Sequence, residues 1–88
     1  MESYKNKYIE MLRNELDNRF SSRPSYSLRA FARDLGPSPS QISLVLNKKL
    51  GLSKKSAVSI SSRVNWAEAE RALFCDLVIA ADGRSKRA

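Results

Sequence analysis

Residues 28–47 read LRAFARDLGPSPSQISLVLN, and the placing of large, small and turning residues in this stretch decides the fold. Two segments of helical apolar period meet at Gly36-Pro37-Ser38, a break with room only for a tight turn. A helix-turn-helix crosses two short helices steeply, so its buried positions are constrained. Counting from Leu28, the fifth residue must be small because the second helix packs over it, and it is Ala32. The ninth must turn the chain, and it is Gly36. The fourth, eighth, fifteenth and eighteenth hold the helices together, and they are Phe31, Leu35, Ile42 and Val45. An ordinary amphipathic hairpin matches only some of these six positions by chance. Here all of them fit.

Working outward, the helix starts are marked by serine. Ser27 is placed to cap the first helix of the motif, with Tyr26 before it and Phe31 at the fourth helical position as a hydrophobic staple. Gly36 suits a left-handed end. Ser38 begins the second, with Pro39 at the first position and Gln41 at the third, a capping box with proline where proline is welcome. That helix is expected over residues 39–48, running through Ile42, Val45 and Leu46 and stopping near Gly51. Ser53 should cap a further helix with Ala57, Ile60 and Val64 inward. Asn65 and Glu68 form a second Asn-x-x-Glu box, opening a last helix that reaches Asp82 and ends at Gly83. Upstream, Tyr8, Leu12, Leu16 and Phe20 recur every four residues beside Ile9 and Met11, an amphipathic helix that Ser21-Ser22-Arg23-Pro24-Ser25 interrupts. The expectation is an all-α, compact five-helix bundle over residues 1–83, followed by a basic tail or linker at 84–88.

Composition narrows the class of function. The chain has 88 residues, one cysteine and no histidine. Cys75 alone excludes a disulfide within the chain and reads as a packed thiol; no metal-ligand set, cofactor motif, phosphate loop or convergent carboxylate pair is present, so an enzyme is not expected. The longest apolar run, 72–81, is broken by Asp76 and far short of the ~20 residues a membrane span needs. The first residues lack a basic start followed by an apolar run. A cytoplasmic, nucleoid-associated location is therefore expected. Residues 1–20 and 66–88 each carry four basic and four acidic side chains. Residues 21–65 hold Arg23, Arg29, Arg33, Lys48, Lys49, Lys54, Lys55 and Arg63 against Asp34 alone, so the whole net charge of +7 lies in the central half. Such a concentrated field attracts a polyanion through counterion release, although a solvated basic face kept for solubility has the same composition.

Ser-Gln-Ile-Ser-x-Val-Leu-Asn at 40–47 resembles the recognition helices of the lactose-repressor and Cro/phage-repressor (C1-type, xenobiotic-response-element-like) classes of regulators. The five-helix layout, with two helices after the motif, is similar to the second class and implies a lambda-repressor-like helix-turn-helix. More narrowly, YSLRAFARDLG at 26–36 with SPSQIS and GLSKKSA resembles the N-terminal part of a group of bacterial proteins that carry a larger C-terminal domain of unassigned function. That likeness implies either the DNA-binding part of a longer regulator whose chain continues past Ala88, or a standalone relative of it, with a role in transcription regulation on double-stranded DNA.

In this motif the first turns of the second helix enter the major groove. With Ile42 and Val45 inward, Pro39, Ser40, Ser43, Leu44 and Asn47 are expected to face bases, with Gln41 at the edge. Asparagine and glutamine suit adenine, whereas Leu44 stands where related repressors often carry a polar reader and offers only contact to a thymine methyl. Phosphate contacts are expected from Lys48, Lys49, Lys54 and Lys55, from Arg29 and Arg33, and from the helix starts at Ser38 and Ser53. Trp66 reads as a core or rim anchor, and Glu68 and Glu70 as surface charges. Trp66, Leu73, Phe74, Leu77 and Val78 form a stripe broader than a core needs, which suggests a homodimer contact or a face for a C-terminal domain. Two other classes remain open: a helix-turn-helix fold used as a protein-interaction module, and a charge-driven nucleoid or RNA-binding protein.

Overall fold

The computed structural model describes residues 3–82. They form five helices and, among the described residues, no strand: α1 (Tyr4–Ser22), α2 (Leu28–Leu35), α3 (Pro39–Leu46), α4 (Lys54–Ser62) and α5 (Glu68–Asp82). None is long and apolar enough to cross a membrane.

Serine hydroxyls start four of the five. Ser3, Ser27, Ser38 and Ser53 each accept the backbone N–H three residues on, at 3.1–3.2 Å, satisfying a donor that the helix itself cannot. The Tyr26–Phe31 staple forms, with ring centroids 6.5 Å apart and edge to face. At Ser38 only half the expected box is made. The hydroxyl accepts from Gln41 N–H, but among the described residues the Gln41 side chain makes no return bond and stands exposed.

Two boundaries differ from the sequence expectation. α3 ends at Leu46 rather than near residue 48 or at Gly51. Lys48, at φ +63°, supplies the left-handed residue, its N–H donating to Val45 O and the Lys49 N–H to Leu44 O. Those two bonds constitute a Schellman end with lysine where glycine is usual. α5 begins after Ala67 rather than Asn65. Glu70 accepts from Ala67 N–H at 3.1 Å, so the reciprocal acid of the box is Glu70, not Glu68, and Glu70 is a capping group rather than a free surface charge.

The core is one cluster drawn from all five helices. α1 packs on α5 and α3, α4 on α5, and α2 on α3. Phe31, Ala32, Leu35, Ile42 and Val45 are all completely buried, each large side chain contributing about 1.5–3 kcal/mol by leaving water. Tyr8, Ile9 and Leu12 of α1 meet Phe74 and Val78 of α5, and the Tyr8 and Phe74 rings lie edge to face at 5.8 Å. Phe74, Leu77 and Val78 are therefore interior and offer nothing to a partner. Trp66 is half-buried against Phe74 at 5.0 Å, and of the suggested stripe only Leu73 is well exposed.

Polar ties fix the helices against one another. The Asp82 carboxylate, ending α5, accepts from the Tyr8 hydroxyl of α1 and from Leu52 N–H at 3.2 Å, and pairs with Lys5 at 3.5 Å. Gly51 makes room for it: a Cβ there would meet the Asp82 Cγ at 2.8 Å. Burial first, and then the bond to Asp82, pushes the Tyr8 phenol above its ordinary range. Arg13 of α1 donates to Leu46 O at 2.9 Å, closing the C-terminal end of α3.

Candidate nucleic-acid interface

α3 can present a surface because its inward side is fixed by Ile42, Val45 and Leu46. Spacing of 3.6 residues per turn then leaves Pro39, Ser40, Gln41 and Leu44 exposed on the other side. Leu44 is 42% exposed, a large apolar side chain held in water. Ser43 is only half-buried, in a shallow crevice between α1 and the start of α2, beside Leu28 and Arg13. Asn47 is exposed, but its side-chain amide donates to Ser43 O at 2.9 Å. It is the C-cap of α3, and it can read a base only by giving up that bond. The free surface of α3 thus has no cation and one carboxamide, Gln41.

The cations stand beside α3 rather than on it. Lys48 and Lys49 emerge from its left-handed end, and Lys54 and Lys55 occupy the first two positions of α4. All four are exposed. Their backbone setting explains the grouping. The Schellman turn reverses the chain, Leu52 is buried, and the Leu52 N–H bond to Asp82 holds the segment down. The Ser38 and Ser53 hydroxyls are engaged as caps, and Ser53 also donates to Ser56 Oγ at 3.1 Å. The first amides of α4, at Lys54 and Lys55, precede the first intrahelical bond and point outward, as at any helix start. On α2, Arg29 and Arg33 lie four apart and exposed.

The one acid of the central segment is engaged by other partners. Asp34, the sole carboxylate of residues 21–65, accepts from Arg19 Nη1 at 3.1 Å and from the Tyr26 hydroxyl at 2.6 Å. Arg19 also holds Glu15 at 2.9 Å and lies over the Phe31 ring at 5.6 Å. Burial lowers the affinity of Arg19 for its proton, but the bonds to Tyr26 and Glu15 outweigh that and raise it. For Tyr26, burial and the Asp34 bond raise the phenol pKa against the opposing effect of Arg19. The arrangement neutralises Asp34 and anchors α1 to α2 together. Salt bridges among the described residues do not involve Arg29, Arg33, Lys48, Lys49, Lys54 or Lys55, so their charge is available to an external anion.

Arg63, the C-cap of α4, was absent from the expected contact residues although it counts toward the central charge. Its guanidinium lies against the turn between α2 and α3, where a side chain at Gly36 would meet Nε at 3.8 Å. The legible signal was its spacing of eight from Lys55, which places both on one side of α4. Gly36 itself takes φ +115°, outside the left-handed cap geometry expected of it but still a conformation that favours glycine. Comparison of the chain with protein-family models, with curated proteins and with solved structures finds no match, so the reading of this face stands on its own side chains.

Proposed function

We propose that this chain is a duplex-DNA-binding module of the lambda-repressor-like helix-turn-helix kind, with α3 in the major groove and the flanking cations on phosphates. The observation that carries the reading is the pairing of a cation-free helix surface with exposed lysines at its end and at the start of α4, none in a salt bridge among the described residues. Phosphate contacts position such a protein and base contacts specify its site. Here Gln41 is the one free side chain able to bond a base bidentately, worth ~1–3 kcal/mol of discrimination. Binding is therefore strong in its salt dependence and weak in its sequence preference. Four to six neutralised phosphates correspond to a log–log salt slope of roughly −4 to −5.

The test is fluorescence anisotropy on a labelled duplex across a salt series. Reversing charge at Lys48, Lys49, Lys54 and Lys55 together should abolish binding with helicity intact. Reversing Lys7, exposed on α1, should leave it nearly unchanged; Lys5 and Arg13 are unsuitable controls because they hold Asp82 and Leu46 O. Equal losses from Lys7 and from the four lysines would mean undirected charge attraction. A second reading, a protein-docking face, is favoured by one observation: Leu44 and Leu50, at 42% and 36% exposure, flank Lys48 and Lys49 in the chain. Under that reading Leu44→Ser abolishes partner capture while duplex binding is absent throughout.

A further inference from the structure

A cleft of about 350 Å³ opens between the α2–α3 turn and α4. That is the lower end of the ~300–1,000 Å³ typical of small-ligand sites, but such sites are mostly apolar and this one is not. Its polar lining is Gln41 from α3 and Lys55, Ser56, Ser59 and Arg63 from α4, with Gly36 on the turn side. Among the described residues no carboxylate lines it, and none pairs with Lys55 or Arg63. Lys55, Ser59 and Arg63 recur every four residues on one side of α4, Lys55 and Arg63 being about 12 Å apart along its axis. Two long side chains at that separation can converge on a group seated over Ser59. The Ser56 hydroxyl accepts from Ser53, which leaves its own proton to donate inward. Every lining polar group therefore either carries positive charge or can donate a hydrogen bond.

We propose that this cleft binds a phosphate group, with Arg63 as its forked donor and Lys55 as its point charge. The inference rests in part on the duplex-binding reading, because Gln41 joins the cleft to the exposed surface of α3. The phosphate comes either from a DNA strand running beyond the α3 footprint or from a free phosphate ester. Guanidinium matches two phosphate oxygens at once, whereas ammonium does not. The Arg63 guanidinium lies beside the turn at Gly36, within ordinary van der Waals reach of a Cβ placed there.

Two measurements on the whole chain test this and separate the sources. In the first, wild type, Arg63→Gln and Arg63→Lys are compared in the duplex salt series. The expected result is a slope shallower by about one for Arg63→Gln, with Arg63→Lys keeping the slope but losing affinity. In the second, inorganic phosphate is titrated against isotope-labelled protein at fixed ionic strength. The expected result is saturable shifts at Gln41, Ser56, Ser59 and Arg63 Nε that vanish in Arg63→Gln and persist in Lys7→Gln. A changed slope without phosphate shifts assigns the cleft to backbone phosphate, and shifts without a changed slope assign it to a free ester. The absence of both effects overturns the proposal, whether or not the wild type binds duplex. If wild type binds no duplex yet phosphate saturates the cleft, the duplex reading fails and the cleft stands.

Discussion

Lys48 sits at φ +63° in a turn where glycine is usual, a conformation that costs a residue with a Cβ about 1 kcal/mol. Lys48→Gly should raise stability by up to about 1 kcal/mol in urea unfolding, part of the gain being offset by the freer unfolded chain. In the duplex-binding reading the same change weakens binding and makes the salt slope shallower by about one. A stability gain with unchanged binding would remove Lys48 from the phosphate contacts. Tyr8 governs the alkaline limit. Its phenol is raised above the ordinary 10.0, by burial first and by Asp82 second. A group whose folded pKa lies above its unfolded value contributes in full below the unfolded value and loses that contribution as pH climbs toward the folded one. Stability should therefore hold up to about pH 10 and fall beyond it. Tyr8→Phe should lower stability near neutrality by about 1 kcal/mol and flatten most of that fall, as measured by urea unfolding at stepped pH. The smaller residual slope belongs to Tyr26, raised by burial and Asp34.

The weakest start among the helices is that of α5, where Ala67 occupies the cap position and Glu70 alone reaches back. Ala67→Ser should add about 0.5–1 kcal/mol by supplying the missing hydroxyl acceptor, read as a rise in melting temperature. Asn65→Ala, in contrast, should change stability little, since Asn65 is not the cap. Such boundaries show how far the elements were legible. Ser27, Ser38 and Ser53 were readable as caps because a short hydroxyl beside a helical apolar pattern has one good use. Ala67 carries no such chemistry, whereas Asn65-x-x-Glu68, two residues upstream, matches a capping box in its side chains alone. The end of α3 was misplaced for a related reason: a lysine forced to positive φ leaves no trace in its identity, whereas Gly51 nearby invites a stop. Gly51 has a different task, accommodating Asp82. The five buried positions of residues 28–47 were legible because packing two short helices fixes size and polarity at each, and the sixth, Gly36, because the turn favours glycine. The surface was less so. Exposure of Pro39, Ser40, Gln41 and Leu44 followed from helical period, but the return bond of the Asn47 amide to Ser43 O depends on the cap geometry and the approach of Arg63 to the turn on contacts between elements.

Across the whole molecule the charge is partitioned by sequence segment. The central segment carries the excess positive charge, while α1 and α5 supply the acids that hold Arg19, Lys5 and the N-terminus of α5. The Asp82 junction couples the two regions, since it joins Tyr8 across 74 positions in sequence and Leu52 across 30. Distances of that kind have a meaning in time. α2 and α3 are adjacent in the chain and can dock as soon as both exist, whereas long loops are entropically costly to close and their contacts tend to form late. The segment bearing Lys48 and Lys49 is thus clamped only when the final turn of the last helix arrives. In stopped-flow kinetics, Tyr8→Phe should accelerate unfolding and leave the folding rate nearly unchanged, while Ala32→Gly should slow folding. A chain emerging vectorially from synthesis would carry a formed α2–α3 pair and an unclamped lysine segment until residue 82 is free to reach back, so the geometry of its exposed lysines is the last thing to mature.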